Sequence, residues 1–160
     1  MQKITVLCVV KLKEPFYMQA VSEYQKRLSR CCRLEIVELP EQKLSDDPSD
    51  AEIEQSLLKE AALIEEKLPK GGALIAMCVE GVELSSVQLS QKMRQFALRG
   101  ASQLTFLIGS SFGLHPSVKQ KADFRLSMSP MTFPHHLFRV MLLEQLYRAY
   151  QIENGTKYHK

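Results

Sequence analysis

Short apolar segments alternate with longer amphipathic segments along the chain, and this order constrains the fold more than any other feature. The longer segments have helical periodicity, and Gly81 is expected to follow a short turn after the third strand. Because parallel strands need long crossover connections, the sequence predicts an α/β fold, a mostly parallel sheet with helices on both faces. The predicted strands, which are rich in β-branched side chains, cover residues 3–10, 33–39, 73–79, 103–108 and 123–128.

Prolines and capping side chains set the expected boundaries of the helices. Proline suits the first turn of a helix, and Pro15, Pro116 and Pro134 each precede a helical segment. The pairs 49–50 and 85–86 each offer a side chain that can cap a helix start. The predicted helices span about 15–30, 50–68, 86–99, 116–121 and 134–151.

The length of the chain, 160 residues, fits a single domain spanning residues 1–160. No apolar run approaches the roughly 20 residues that a membrane-spanning helix needs. Residues 1–10 are apolar but lack a following cleavage site of small residues, so we interpret them as a strand rather than a signal peptide. The expected location is therefore the cytoplasm, with no membrane partner.

The four cysteines form no Cys-x-x-Cys pair, and the histidines supply no complementary set of metal ligands. Cys8 and Cys78 lie in apolar strand-like segments, where cysteine usually acts as a small hydrophobic residue. Neither a disulfide framework nor a bound metal is expected.

Charge is distributed unevenly, although the net charge is only +3. The balance is +5 over residues 1–34, −7 over residues 35–70 and +5 over residues 71–160. This asymmetry permits a basic face for a phosphate backbone, with the acidic region turned elsewhere. Scattered, solvated charge is the alternative interpretation.

Two glycines lie in the segment LIGSSFGLHP, residues 107–116, which follows the fourth predicted strand. Ligands of open α/β sheets bind beyond the carboxyl ends of the strands, and glycine lets the backbone approach a ligand closely. The spacing matches neither Gly-x-Gly-x-x-Gly nor a Walker A sequence. Taken alone, the segment also fits an ordinary turn between a strand and a helix.

Two prolines stiffen the segment LSMSPMTFPHH, residues 126–136. Such a loop offers main-chain carbonyl and N–H groups that suit an adenine ring, and Met131 and Phe133 could enclose an adenosyl or methionyl group. An ordinary proline-rich start of a helix is the alternative. The last predicted helix follows, and its apolar residues occupy nearly every side, which indicates burial on all sides or a shared surface with a partner subunit.

Charged residues interrupt this helix, and a polar tail follows it. Glu144 and Arg148 stand four residues apart and can pair along the helix, whereas Arg139 has no local partner and is a candidate functional cation. The tail, residues 157–160, is either disordered, as chain ends commonly are, or an RNA contact in which Tyr158 stacks on a base.

Several linked motifs resemble the ribosomal RNA large-subunit methyltransferase H family of the SPOUT class. In order along the chain they are LIGxxxGL, LSxSxMTFPH, RVxLxEQLYRA and a terminal YHK, and the similarity covers essentially the whole length. The family often has a second glycine after the fourth strand, where this chain has Ser110. Because Gly113 is retained, we expect the loop to turn in the same way.

The resemblance implies an α/β fold with a deep trefoil knot near the C-terminus and a homodimer. It implies that S-adenosyl-L-methionine, with no metal, is the methyl donor. It also implies that N3 of a pseudouridine in large-subunit (23S) rRNA is methylated on the assembled ribosome. By position, the residues expected to bind the cofactor are Met77, Gly109, Met128, Ser129, Pro130, Met131, Thr132 and Phe133.

The candidates near the acceptor nucleotide are Arg139, Tyr158 and His159, the last two reaching in from the other subunit. His159 could relay the proton that N3 loses, and Arg139 could favour the imide anion. Two other functions remain open: a SPOUT methyltransferase acting on tRNA, and a non-catalytic ribosome-associated protein that binds RNA. A nucleotide-binding regulatory domain is a more distant alternative, because no phosphate-cradling motif is present.

Overall fold

The computed structural model describes residues 1–160, and its five strands form one sheet in which all neighbours are parallel. The strand order is β2-β1-β4-β3-β5, so β4 is inserted between β1 and β3. The predicted α/β architecture is confirmed. The strands are β1 (Lys3–Cys8), β2 (Arg33–Glu38), β3 (Ala73–Glu83), β4 (Gln103–Ile108) and β5 (Phe124–Ser127).

Five helices connect or follow these strands, and their starts obey the expected capping chemistry. Ser49 and Ser85 each accept a hydrogen bond from the third residue of the helix, and that residue's side chain accepts one back from the serine N–H. Pro15 and Pro116 occupy first helical positions. The helices are α1 (Pro15–Leu28), α2 (Asp50–Lys67), α3 (Ser86–Leu98), α4 (Pro116–Lys121) and α5 (His135–Glu153).

Side chains on the two faces of the sheet enter two separate hydrophobic clusters. In β1, Ile4 and Val6 pack with residues of α1, α3 and α5, whereas Leu7 of β1 and Val9, the first residue after it, pack with residues of α2 and α4. This division follows from the period of two along a strand. Helices therefore cover both faces, as the sequence predicts.

The third strand differs from its prediction, because it continues through Gly81 to Glu83 instead of ending in a turn. Met77 and Val82 both pair with Leu126 of β5, so the residues between them bulge out of the sheet. A Cβ atom on Gly81 would lie 2.8 Å from the Arg125 carbonyl oxygen, so glycine permits β3 to return to β5. The bulge carries residues 78–80 beyond the plane of the sheet.

The C-terminal helix α5 packs between α1 and α3. Leu142, Leu143 and Leu146 have no exposed surface, and other faces of the helix are partly buried. Burial on most sides explains why this helix is apolar nearly all round. None of the five helices is long and apolar enough to cross a membrane.

Replacement of Leu146 by alanine is expected to lower the free energy of unfolding by about 2–5 kcal/mol, because the cavity left in a closed core relaxes only partly. Chemical denaturation followed by circular dichroism measures this loss. Leu98→Ala is the matched control: Leu98 is 77% exposed, so its truncation should change stability by less than about 0.5 kcal/mol. Equal losses in the two variants would contradict the assignment of α5 to the core.

Candidate functional site

A cleft of about 340 Å³ lies where the carboxyl ends of β3, β4 and β5 meet. Three chain segments form most of its wall: residues 77–80 from the β3 bulge, residues 108–114 after β4, and residues 127–133 after β5. Ligand clefts of open α/β sheets occupy this edge, where the order of the strands reverses. Half of the lining residues are hydrophobic, which suits a ligand with both apolar and polar parts.

All the residues predicted to bind a cofactor line this cleft except Pro130, which is exposed and lies outside the lining set. Sequence reasoning also missed several residues of the wall. Cys78 and Glu80 enter it through the bulge in β3, for which no sequence signal was recognised. His135 and Phe138 enter it from the first turn of α5, and Lys119 enters it from α4.

The turn after β4 is built from two glycines. A Cβ atom on Gly109 would lie 2.4 Å from the carbonyl oxygen of Gly113, and Gly113 has a φ of +83°, a conformation that favours glycine. The Gly113 N–H donates to the Ser110 carbonyl at 2.8 Å, which closes the turn. The loop therefore turns tightly, and main-chain groups of residues 109–113 border the cleft.

Ser110 connects this turn to α2 by a buried hydrogen bond. Its hydroxyl group donates to Glu60 Oε1 at 2.6 Å, and the Gln42 N–H donates to Glu60 Oε2 at 2.9 Å. Glu60 is only 2% exposed, and burial raises its pKa above the usual value, an effect that these two donors partly offset. At the position where the family often has glycine, this chain therefore has a side chain that fixes the loop to α2.

The segment after β5 is held by local hydrogen bonds rather than by regular structure. Ser127 donates its hydroxyl proton to the Ser129 carbonyl at 3.2 Å, and the Met131 N–H donates to Ser129 Oγ at 3.0 Å. Met131 is 72% exposed at the mouth of the cleft, whereas Phe133 is half-buried in its wall. Local side-chain hydrogen bonds therefore fix the course of this loop beside the cleft.

Arg139 is buried beside the cleft rather than exposed in it, with 2% of its surface accessible. Its Nη1 donates to Glu38 Oε2 at 2.7 Å, and its Nη2 donates to the Val10 carbonyl at 3.0 Å. The Leu12 N–H donates to the same Glu38 oxygen at 2.8 Å. The partners of Arg139 are therefore distant in sequence, which local spacing could not indicate.

The tail folds back onto α5 within the same chain. Tyr158 donates its hydroxyl proton to Glu144 Oε1 at 3.1 Å, and Arg148 Nη1 lies 3.3 Å from His159 Nδ1. Arg148 Nη2 donates to Glu144 at 2.6 Å, so the expected pairing along the helix is confirmed. Burial, with a contribution from Glu144, raises the pKa of Tyr158.

The predicted catalytic residues do not meet in one chain. Glu144 lies nine residues beyond His135, which places it about 14 Å farther along α5 at the usual helical rise. Tyr158 and His159 are therefore held well away from the cleft wall of their own subunit, and Arg139 lies behind that wall.

The electrostatics of the cleft are mixed. Burial, with a smaller contribution from His136, lowers the pKa of His135, so its imidazole is favoured in the neutral form at pH 7. At another part of the wall, Lys119 forms an ion pair with Glu80 and lowers the pKa of that carboxyl group. A neutral imidazole and a paired carboxylate can thus border the same ligand.

This arrangement defines an open-sheet α/β protein with a cleft bordered by loops at the carboxyl ends of its strands. Residues 2–159 match the family model described as "Predicted SPOUT methyltransferase". The chain therefore belongs to the SPOUT methyltransferases and, within them, to the ribosomal RNA large subunit methyltransferase H family, as the sequence motifs indicate.

Relatives from several bacteria share nearly the full length. The chain is 44% identical over 158 residues to "Ribosomal RNA large subunit methyltransferase H" of Streptococcus equi subsp. zooepidemicus, and the alignment covers 99% of both chains. It is 48% identical to "Ribosomal RNA large subunit methyltransferase H 1" of Clostridium perfringens strain SM101, covering 98% of this chain and 99% of that one.

A solved structure of a probable methylase family protein from Haemophilus influenzae shares the fold. The TM-score is 0.54 at 13% identity, and the match covers 99% of this chain and 70% of that one. At this identity the likeness concerns the arrangement of strands and helices.

Ser110→Ala is expected to lower the free energy of unfolding by about 1–3 kcal/mol at pH 7, because a buried carboxylate loses a donor. The folded-state pKa of Glu60 is raised, and the substitution raises it further. The penalty should therefore grow as the pH rises through the raised folded-state pKa of Glu60 and shrink below it, where the folded carboxyl group is protonated in both proteins.

Denaturant titrations of Ser110→Ala across this pH range test the prediction. Ser111→Ala is the control, because Ser111 is exposed and its hydroxyl group donates to the Glu41 side chain at 2.8 Å. A pH-independent penalty for Ser110→Ala would show that the bond to Glu60 is not the cause.

Proposed function

We propose that this protein transfers a methyl group from S-adenosyl-L-methionine to large-subunit ribosomal RNA, at N3 of a pseudouridine on the assembled ribosome. The main supporting observation is the convergence of three separated segments on one cleft. Each of these segments is expected from the sequence to bind the cofactor. Relatives with 42–48% identity carry the name of a large-subunit rRNA methyltransferase, which supports RNA as the acceptor. We also propose a cytoplasmic location, because the proposed substrate is the assembled ribosome.

The cleft suits the methyl donor in size and chemistry. Its volume of about 340 Å³ lies within the range of about 300–1,000 Å³ that is common for small-molecule sites. Met77, Met128 and Phe133 offer apolar surface for the adenine ring and the methionyl chain. Main-chain groups of residues 109–113 and 128–132 suit the polar edges of the adenosyl group, and no metal is required.

S-adenosyl-L-methionine, when bound, supplies an electrophilic methyl group on sulfur. The residues of the cleft then orient that group towards N3 of the acceptor and exclude water from the reaction. One proton leaves N3 as the new N–C bond forms and the S–C bond breaks, so a basic group must accept it. We propose His159 for this role, with Tyr158 positioning the base. Arg139 was predicted to favour the imide anion, but it is buried behind the cleft wall and paired with Glu38, so we propose a positioning role for it: it fixes the start of α5, which supplies His135 and Phe138 to the wall.

A homodimer is part of this proposal, because Tyr158 and His159 lie away from the cleft of their own subunit. A second copy that docks along α5 would bring its tail towards that cleft. Leu137, 37% exposed on α5, supplies apolar surface for such an interface. The C-terminal trefoil knot implied by the family is also part of this proposal.

Transfer of a labelled methyl group tests the proposed function directly. Ribosomes that lack the modification, isolated 23S rRNA and isolated tRNA serve as acceptors, and the labelled base is then mapped. Label on a pseudouridine of whole ribosomes supports the proposal, whereas preferential label on tRNA supports the tRNA methyltransferase. Calorimetry that detects no binding of S-adenosyl-L-methionine by folded protein would favour a non-catalytic RNA-binding protein.

His159→Ala is expected to slow methyl transfer by about 10²-fold or more while cofactor affinity stays unchanged, because the residue is proposed to move a proton and not to bind the donor. Single-turnover transfer and calorimetry measure the two properties separately. Lys157→Ala is a neighbouring control that removes a charge from the same tail. Unchanged turnover in His159→Ala would exclude this histidine from the mechanism.

A further inference from the structure

Four aromatic and imidazole rings form a continuous row that begins on the surface of α1 and ends in the cleft. The ring centroids of Phe16 and Tyr17 are 4.4 Å apart, those of Tyr17 and His136 are 5.9 Å apart, and those of His136 and His135 are 4.6 Å apart. His135 itself lines the cleft. We call residues Phe16, Tyr17, His136 and His135 the aromatic row.

The outer end of the aromatic row is an apolar side chain that is exposed to solvent. Phe16 is 62% exposed at the first turn of α1, although removal of a phenyl ring from water is favourable. Tyr17, His135 and His136 are partly buried, so each keeps some accessible surface. Exposed apolar surface that is continuous with a ligand cleft indicates a binding surface.

Two lysines lie directly before the aromatic row, and two glutamates lie near its histidines. Lys11 and Lys13 are both exposed in the loop between β1 and α1, directly before the row begins. Glu14 lies 3.8 Å from His136 Nε2, and the charge of Glu41 also acts on His135, so both acidic groups are near the histidines of the row. Exposed ammonium groups close to a row of rings match the phosphates and bases of an unpaired nucleic acid strand.

The loop that carries these lysines is fixed to the same framework as the cleft. The Leu12 N–H donates to the Glu38 oxygen that also accepts from Arg139, so the loop and the first turns of α5 share one anchor. The row is thus held at a fixed distance from the cleft before any ligand binds. A preformed platform lowers the ordering cost of binding.

We infer that the aromatic row is a stacking platform for unpaired nucleotides of the RNA acceptor, which extend from the nucleotide in the cleft across His136 and Tyr17 to Phe16. Lys11 and Lys13 contact the phosphates of these nucleotides. This inference rests on the proposed function for the identity of the acceptor. It adds that the protein requires unpaired bases next to its target, since paired bases cannot stack on side chains.

The absence of tryptophan from the sequence permits a direct test of stacking. Phe16→Trp places a single tryptophan at the exposed end of the row, and its fluorescence should be quenched by an RNA hairpin with an unpaired loop but not by a fully paired duplex of equal length. Leu98→Trp, on the exposed face of α3, is the control reporter and should not respond. No cofactor is needed for this measurement.

Affinity measurements with the same hairpin complete the test. Phe16→Ala should weaken binding about tenfold or more, from the typical worth of one base stack, whereas Leu98→Ala should leave it unchanged. Replacement of both Lys11 and Lys13 by glutamine should reduce the slope of log affinity against log salt by about 1.4, at roughly 0.7 per single-strand phosphate. Cofactor affinity should not change in any of these variants.

Several outcomes would overturn the inference. One is equal quenching by duplex RNA, and another is unchanged hairpin affinity in Phe16→Ala. A third is a change of oligomeric state in Phe16→Ala with RNA affinity intact, which would assign the row to contact with a second copy of the chain. Methyl transfer by the wild-type protein, compared with hairpin binding and with quenching in Phe16→Trp, separates this inference from the proposed function. Quenching and hairpin binding without methyl transfer would support the platform and refute the enzyme, and transfer without any effect of Phe16→Ala would do the reverse.

Discussion

The guanidinium group of Arg139 connects α5 to the carboxyl ends of β1 and β2, and both proposed binding regions are built on this junction. Two of its nitrogen atoms donate to Glu38 and to the Val10 carbonyl, and Glu38 also holds the Leu12 N–H. A buried charge that loses its partner typically costs about 3–5 kcal/mol, so the junction is strongly constrained. It fixes Phe138 and His135 in the cleft wall and fixes the loop that leads to the aromatic row.

The strand order separates the loops at the carboxyl edge of the sheet into two groups. Because β4 is inserted between β1 and β3, the loops after β3, β4 and β5 converge on one side of the edge and form the cleft. The loop after β1 and the last residue of β2 meet the start of α5 on the other side. One edge thus offers main-chain groups for a small ligand and, beside them, rings and cations for a strand of nucleotides.

Local patterns in the sequence predicted most of the fold, because strands, caps and proline-opened helices depend on neighbouring residues. The loops at the cleft were predicted from glycine and proline, together with their family motifs. Contacts between distant segments were not predictable in this way. The Ser110–Glu60 bond, the partners of Arg139 and the return of β3 after its bulge each depend on residues brought together only by the tertiary fold.

The long-range character of the Arg139 junction also affects how the chain folds during synthesis. Arg139 lies 101 residues after Glu38 and 129 residues after Val10, and the central pairing of β1 with β4 joins residues as distant as Lys3 and Gln103. Non-local pairings of this kind slow folding. At elongation rates of about 5–20 residues per second, β4 is synthesised several seconds after the apolar β1 with which it pairs. During that interval the edge of β1 that faces β4 stays unpaired, and an exposed apolar edge is a template for aggregation.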